Sequence, residues 1–187
     1  MSARVGGTAL SPTRVAAIWG FAEATLWFVV PDVLLSWYAL DRSTRGYRAS
    51  GAAVLGAMVG GVVMWLWGQA GSGAAYGVLD AIPGIQKELI ESVRHAVSSE
   101  GLSSMVLGGF RGVPYKIYAV AWGELGGNLA AFVVLTVPAR AIRFLLVTFI
   151  AGAICKGPLK EMTLRRRRMV HVGFWFVFYV GYFVVMG

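Results

Sequence analysis

The stretch LSSMVLGGFRGVPYKIYAVAWG, Leu102–Gly123, is apolar towards both ends but carries Arg111, Pro114 and Lys116 near its centre. A helix of this length could cross a hydrocarbon core about 30 Å thick. However, proline interrupts helices, and charged residues are rare in lipid-facing spans. Glycines before Pro114, including Gly112, would let the chain turn tightly. We therefore predict that residues 102–123 form a re-entrant helical hairpin, which enters and leaves the membrane on the same side.

A second block, residues 15–40, has the same design, with Glu23, Pro31 and Asp32 inside an otherwise apolar stretch. The run that follows Pro31 makes only about 14 Å of helix, roughly half of a hydrocarbon core. We predict that this block is also a re-entrant hairpin.

The remaining apolar blocks, residues 51–69, 125–153 and 169–186, are predicted to be transmembrane helices. Gly56 and Gly60 form a small-residue step in the first of these, which favours close packing within one protomer over a dimer interface. Residues 83–98 alternate apolar and charged residues with a helical period, which is typical of an amphipathic helix. We expect that helix to lie on the external membrane surface; packing on the protein's own loops is the alternative.

Composition favours a single membrane domain over residues 1–187. The chain is 57% apolar and only 14% charged, whereas soluble domains are about a quarter charged. The net charge of +8 does not indicate nucleic-acid binding, because the basic residues lie between or within apolar blocks. The run Arg165–Arg168 directly precedes an apolar block and is typical of a cytoplasmic anchor. A lone cysteine, Cys155, excludes an intramolecular disulfide and indicates no metal site, and no cofactor is expected.

Basic residues also predict the topology. They are frequent near the N-terminus, at Arg4 and Arg14, and in the connectors 41–48 and 156–168, whereas connector 72–100 is mainly acidic. The positive-inside rule makes the first three cytoplasmic and the last external. This assignment holds only if the first block is re-entrant. The two hairpins would then enter from opposite faces and meet near the midplane, as in an inverted-repeat transporter.

Four cations lie inside apolar blocks, at Arg111, Lys116, Arg140 and Arg143. Each costs roughly 2.5 to 3.5 kcal/mol at a bilayer centre, so each must be paired, hydrated or close to an interface. Available acidic partners are Glu23, Asp32 and Glu124. We interpret the set as a polar pathway for a charged substrate. The alternative is that Arg111 or Arg143 snorkels towards the interface and the rest are buried ion pairs that hold the fold; if Arg111 is itself paired, its partner is Glu23.

The motif Arg111-Gly-Val-Pro-Tyr-Lys116, followed by Arg140-Ala-Ile-Arg143, resembles the signature of the DedA superfamily, also called the SNARE-associated or VTT-domain family. The acidic segment with Glu23 and Pro31-Asp32-Val33 and the glycine-rich Gly56–Gly60 resemble the YqaA-like branch. The chain departs from the family pattern in keeping a single proline in the acidic motif and in carrying Lys116 in place of an arginine. Lysine carries a compact point charge, whereas the guanidinium of arginine is a planar fork that binds bidentately. The resemblance therefore does not settle the identity of the lipid headgroup.

The resemblance implies two opposed re-entrant hairpins and the movement of lipids such as phospholipids or undecaprenyl phosphate across a bacterial inner membrane, with coupling to protons. It implies that Glu23 and Asp32 act in proton coupling and that Arg111 and Lys116 bind the anionic lipid headgroup; Arg140 and Arg143 complete our predicted phosphate site. No catalytic residue is expected. The alternatives are a proton-dependent ion or small-solute transporter, an intramembrane lipid-phosphate enzyme and a structural membrane protein. A homo-oligomer remains open.

Overall fold

A computed structural model describes residues 10–186, which form eight helices and no strands. The helices are α1 Pro12–Thr25, α2 Asp32–Asp41, α3 Ser43–Asp80, α4 Lys87–Glu100, α5 Ser103–Phe110, α6 Tyr115–Glu124, α7 Leu129–Lys156 and α8 Leu164–Met186. The all-α prediction is confirmed for this part of the chain. Arg4, which contributed to the topology prediction, lies outside the described residues.

Helix α3 is the central element. It has 38 residues, about 57 Å of helix, and its backbone departs from helical geometry at Gly71. Within residues 10–186, α3 and α7 are the two helices long and apolar enough to cross a membrane. They contain or overlap the predicted spans 51–69 and 125–153, and α3 extends beyond its predicted span at both ends. Pro138 lies inside α7 without ending it.

The first charged block is interrupted where Pro31 predicted a break. Helix α1 ends at Thr25, and α2 begins after Pro31, which occupies the N-cap position. The indole of Trp19 donates to the carbonyl oxygen of Val29 at 2.9 Å and so fixes the connecting segment against α1. Helix α2 then returns along the first half of α3, and Ala39 packs against Gly46.

Glycines allow α1 to pack closely on α3. A Cβ atom at Gly56 would clash with the carbonyl oxygen of Ala17, and one at Gly60 would crowd the backbone of Phe21. These contacts show that α1 follows α3 in the same direction. They also confirm that the predicted glycine step packs within the protomer.

The second charged block is interrupted between α5 and α6. Gly112 has a φ of +80°, a backbone conformation that favours glycine, and Pro114 is the N-cap of α6. Helix α6 follows the second half of α3, with its first residue, Tyr115, against Gly61 and with Val120 against Gly68. Because Gly60 and Gly61 lie at the middle of α3, the two breaks approach each other there. Their sides of entry into a membrane remain predictions.

Helix α4 is amphipathic as predicted, but its apolar side packs on the protein itself. Ile90, Val93 and Val97 are buried in one core cluster with residues of α3 and α6. The expectation that this apolar face contacts a membrane surface is therefore wrong, because it contacts the protein instead. The alternative, packing on the protein's own elements, is what the structure shows, because the second half of α3 and α6 leave an apolar surface that α4 covers.

Helix α8 begins at Leu164, earlier than the predicted 169–186, so the arginine run lies in its first turns. It contacts α2 mainly through polar and aromatic side chains. The backbone N–H of Val30 donates to the Tyr179 hydroxyl at 3.1 Å, and the Ser36 hydroxyl lies 2.8 Å from Nε2 of His171.

Candidate functional site

The six predicted site residues come from four helices and the second break. Glu23 lies near the end of α1, and Asp32 is the first residue of α2. Lys116 is the second residue of α6, and Arg111 precedes it in the second break. Arg140 and Arg143 lie one turn apart on α7, and the contacts below show that α7 passes both breaks. The structure therefore brings together charges that are up to 117 positions apart in the chain.

Arg140 and Glu23 form a buried ion pair between α7 and α1. Their side chains are only 5% and 7% exposed. The guanidinium also lies over the rings of Tyr115 and Phe144, at 5.1 and 4.8 Å from their centroids. Aromatic faces stabilise a desolvated cation. We call α1, the first break and α2 the first unit, and α5, the second break and α6 the second unit. The pair thus ties the first unit to α7, while Arg140 also contacts Tyr115 at the start of α6.

Arg143 and Asp32 form a second pair between α7 and α2. Both bonds reach the same oxygen: Nε lies 2.9 Å and Nη2 2.5 Å from Oδ2 of Asp32. The Asp32 side chain is 4% exposed and that of Arg143 is 25% exposed. Two buried polar atoms here, Oδ1 of Asp32 and Nε of Arg140, have no hydrogen-bond partner among the described residues. Buried groups without partners are uncommon and point to a ligand or a water at the site.

Lys116 differs from both arginines because its only hydrogen-bond partner among the described residues is a neutral group. Its ammonium donates to the carbonyl oxygen of Trp27 at 2.7 Å, and the residue is 2% exposed. No carboxylate lies within ion-pair distance in the described part of the chain. This hydrogen bond joins the second unit to the first break. It leaves the ammonium charge uncompensated by any direct partner.

Arg111 is exposed, and within residues 10–186 its side chain forms no ion pair or hydrogen bond. Arg111 therefore does not form the pair with Glu23 that the ion-pair alternative would give it; Glu23 pairs with Arg140 instead. The Arg140 side chain reaches Glu23 from α7, which packs on α2 and α3, whereas Arg111 lies exposed in the second break. Glu124 is also remote: it binds Arg94 of α4, with Nη2 to Oε1 at 2.9 Å, and the hydroxyl of Tyr76. Hydrogen bonds to Glu124 and Glu91 raise the pKa of Arg94.

A cavity of about 330 Å³ connects the predicted site residues other than Asp32. Glu23 and all four cations line it, together with residues of both breaks. Its outer wall comes from α8, through Phe178, Tyr179 and Tyr182. Because two acids face four bases, the site carries two positive charges in excess. That excess lies at Lys116 and Arg111, the two cations without acidic partners.

No known protein family, curated protein or solved structure matches the chain. The resemblance to the DedA superfamily therefore rests on the motifs of the sequence and stays a prediction. The geometry of the cavity is the evidence on which a function can be argued.

Several residues of the site were not predicted. Tyr115 donates to the Thr136 hydroxyl at 2.8 Å, since Thr136 itself donates to the carbonyl oxygen of Phe132. This bond fixes the ring under Arg140. Tyr179 closes the cavity from α8. The position of Tyr115 directly after Pro114 was a usable signal, because a helix start beside a charged break faces the site. Nothing in the sequence distinguished Tyr179 from the other aromatic residues of α8.

A second polar cluster was also missed. Nε2 of His171 lies 2.8 Å from the Ser36 hydroxyl and 3.1 Å from the indole nitrogen of Trp175. A serine beside a histidine is one element of a hydrolase site, but the Ser36 hydroxyl also donates to the backbone oxygen of Asp32 at 2.5 Å. No carboxylate contacts His171 in the described residues, and these contain no group of three metal-ligating side chains. The cluster therefore favours helix packing over catalysis.

Proposed function

We propose that this protein is an integral membrane protein that moves an anionic, phosphate-bearing lipid across the bilayer through the cavity between its two broken units. The observation that carries the proposal is the uneven pairing of charges in that cavity. Both acids are used by Arg140 and Arg143, whereas Lys116 and Arg111 keep an excess of positive charge where the two breaks meet. A buried cation such as Lys116 is costly without an anion to compensate it.

The outer surface supports a membrane setting. Large apolar side chains are exposed along α7 and α8, for example Val134 at 67%, Phe176 at 69% and Val184 at 79%. Soluble proteins rarely expose contiguous apolar surface on this scale. In a bilayer the same surfaces would contact lipid, with α8 as a third span beside α3 and α7.

The helix lengths support re-entrant units. Helices α2 and α6 have ten residues each, about 15 Å, which is half of a hydrocarbon core. The breaks are not buried: Trp27, Phe28, Arg111 and Gly112 are exposed and line the charged cavity. Non-helical chain inside a membrane is tolerated where it lines a water-filled cavity. With the basic segments cytoplasmic, the N-terminus and connector 156–168 lie on the cytoplasmic side of a bacterial inner membrane. Helix α4 lies on its external side.

A phosphate fits the cationic side of the cavity. Arg111 offers a planar fork for a bidentate contact, and Lys116 adds a point charge. Arg140 has a free Nε beside them. The apolar wall from α8 would contact the lipid's glycerol or acyl region, since a headgroup that crosses the membrane keeps its chains in the hydrocarbon.

Glu23 and Asp32 would control how much of the cationic charge is available. Protonation of Glu23 would release Arg140 towards the phosphate, and deprotonation would withdraw it. This gives proton coupling a defined atom and a defined partner. Exchange of Glu23 for glutamine should then remove the pH dependence of transport while the side chain keeps nearly the same shape.

The test is lipid movement in vesicles. The purified protein is reconstituted with NBD-labelled phosphatidylglycerol, and dithionite bleaches the label in the outer leaflet only. Wild-type vesicles should lose well over half of the fluorescence. Lys116→Gln should slow the loss at least tenfold, because one charge-assisted hydrogen bond contributes roughly 1.5 to 3 kcal/mol. Lys87→Gln, on an exposed lysine of α4, is the matched control.

Each rival function gives a different result in the same vesicles. Normal lipid movement by Lys116→Gln would contradict the proposal. Ion or solute flux without lipid movement would instead support a solute transporter, and release of inorganic phosphate from the lipid would support an enzyme.

A further inference from the structure

A second cavity, of about 370 Å³, lies between α2, α7 and α8. It shares no lining residue with the charged cavity described above. Most of its wall is apolar and comes from α7 and α8, including Val147, Ile150, Ile154 and Phe174. Its volume lies within the range of small-molecule sites, about 300 to 1,000 Å³. Apolar cavities stay free of water and can accept an apolar guest.

One end of this cavity is strongly basic. Arg167 lines it and is held in place by the connector before α8: Nε donates to the carbonyl oxygen of Leu159 at 3.1 Å, and Nη2 donates to that of Lys160 at 2.9 Å. Arg165, Arg166 and Arg168 lie beside it in the first turns of α8.

Little negative charge balances that end. The acid of the same connector, Glu161, is exposed and already lies 3.7 Å from the ammonium of Lys160. On α2, Asp41 is bound to Arg45 at 2.6 Å. The mouth of the cavity is therefore an anion-attracting surface. It adjoins an apolar interior, so the site combines the two properties of an anionic amphiphile.

The other end is closed by the Ser36, His171 and Trp175 cluster, whose polar atoms bond one another at 2.8 to 3.3 Å. Nδ1 of His171 is buried without a hydrogen-bond partner among the described residues, but this end of the lining has no charged side chain to bind a headgroup. The polar contact of an occupant must therefore be made at the arginine end, with its apolar part inserted between the helices.

We propose that this cavity is a binding site for an anionic phospholipid of the cytoplasmic leaflet, distinct from the transport site. One acyl chain lies between α2, α7 and α8, and the phosphate lies against Arg167 and its neighbours. The inference rests on the membrane setting of the proposed function but not on its transport step. A bound lipid would fill the gap that separates α8 from α7 and so hold α8, the outer wall of the transport cavity, in position.

The test compares tryptophan substitutions at two positions of α7 that are about half a helical turn apart and so face opposite sides of the helix. Ala151 lines the cavity, whereas Ala153 is exposed outside it. The delipidated protein in detergent is titrated with phosphatidylglycerol or with phosphatidylcholine of the same chains, and bound lipid is counted by native mass spectrometry. In this second cavity the wild type should bind one phosphatidylglycerol at least tenfold more tightly than phosphatidylcholine, in addition to the lipid of the charged cavity. Ala151→Trp should remove that binding, and Ala153→Trp should keep it.

Two results would overturn the inference: equal phosphatidylglycerol binding by both tryptophan variants, or equal affinity of the wild type for the two headgroups. Should Ala151→Trp fail to fold, Ala151→Leu fills less space and should still lower the affinity several-fold. Lys116→Gln separates this site from the transport site. It should weaken phosphatidylglycerol binding in the charged cavity and leave the lipid of the second cavity in place, whereas Ala151→Trp should remove only the lipid of the second cavity.

Discussion

The two broken units of this fold are built alike but use their charges differently. In the first unit, Glu23 and Asp32 are both buried and both paired with an arginine of α7. In the second, Lys116 is buried against a neutral carbonyl and Arg111 is exposed at the cavity. The difference separates charges that hold the helices together from charges left free to bind an anion.

The largest expected effect is in a labelling experiment that tests whether the two units enter the membrane from opposite sides. Single cysteines at Ser11, Ser43 and Ser98, in a Cys155→Ser background, should show an all-or-none pattern with a membrane-impermeant thiol reagent. Ser11 and Ser43 should react only from the cytoplasmic side, and Ser98 only from outside. Reaction of the cysteines at positions 11 and 43 from opposite sides would mean that the first unit crosses the membrane once. The two units would then not be alike.

The next largest effect should be on stability, at the more buried of the two pairs. Arg140→Gln would leave Glu23 buried without its partner, and we expect a loss of about 3 to 5 kcal/mol in the free energy of unfolding. Adding Glu23→Gln should recover much of that loss, because the buried charge is then removed from both sides. Unfolding in mixed micelles measures the four species of this cycle. An additive double variant would mean that the pair does not couple α1 to α7.

The second pair should matter less. Asp32→Asn leaves Arg143, which is 25% exposed and can turn towards water, so the uncompensated cation is not trapped. We expect a loss of about 1.5 to 3 kcal/mol, in the range of a hydrogen bond to a charged group. The same unfolding measurement ranks the two pairs. A larger loss for Asp32→Asn than for Arg140→Gln would contradict the burial argument.

Sequence patterns predicted the breaks and the composition of the site better than its pairing. Pro31 and Pro114 interrupt their helices because proline restricts the backbone locally, and Gly56 accepts α1 because it lacks a side chain. These are local properties that a sequence displays. The partner of Glu23 depends instead on the path of α7 in three dimensions, which is why the sequence left open which of the four cations pairs with it.

The contacts of α4 and α8 were harder to predict for a related reason. An apolar helix face reveals that something covers it but not whether that surface is lipid or protein. For α4 it is the protein's own core, where Val93 and Val97 are buried. The contact between Ser36 and His171 joins residues 135 positions apart, and no local pattern linked them.

The most direct test of the central claim measures binding and stability on the same variants. Short-chain phosphatidylglycerol is titrated into the purified protein by calorimetry, and each variant is also melted. Arg111→Gln and Lys116→Gln should each weaken binding about tenfold or more, with melting unchanged or raised, whereas Lys87→Gln should alter neither. Unchanged lipid binding together with a clear loss of stability in Arg111→Gln and Lys116→Gln would contradict the account and make these cations part of the scaffold.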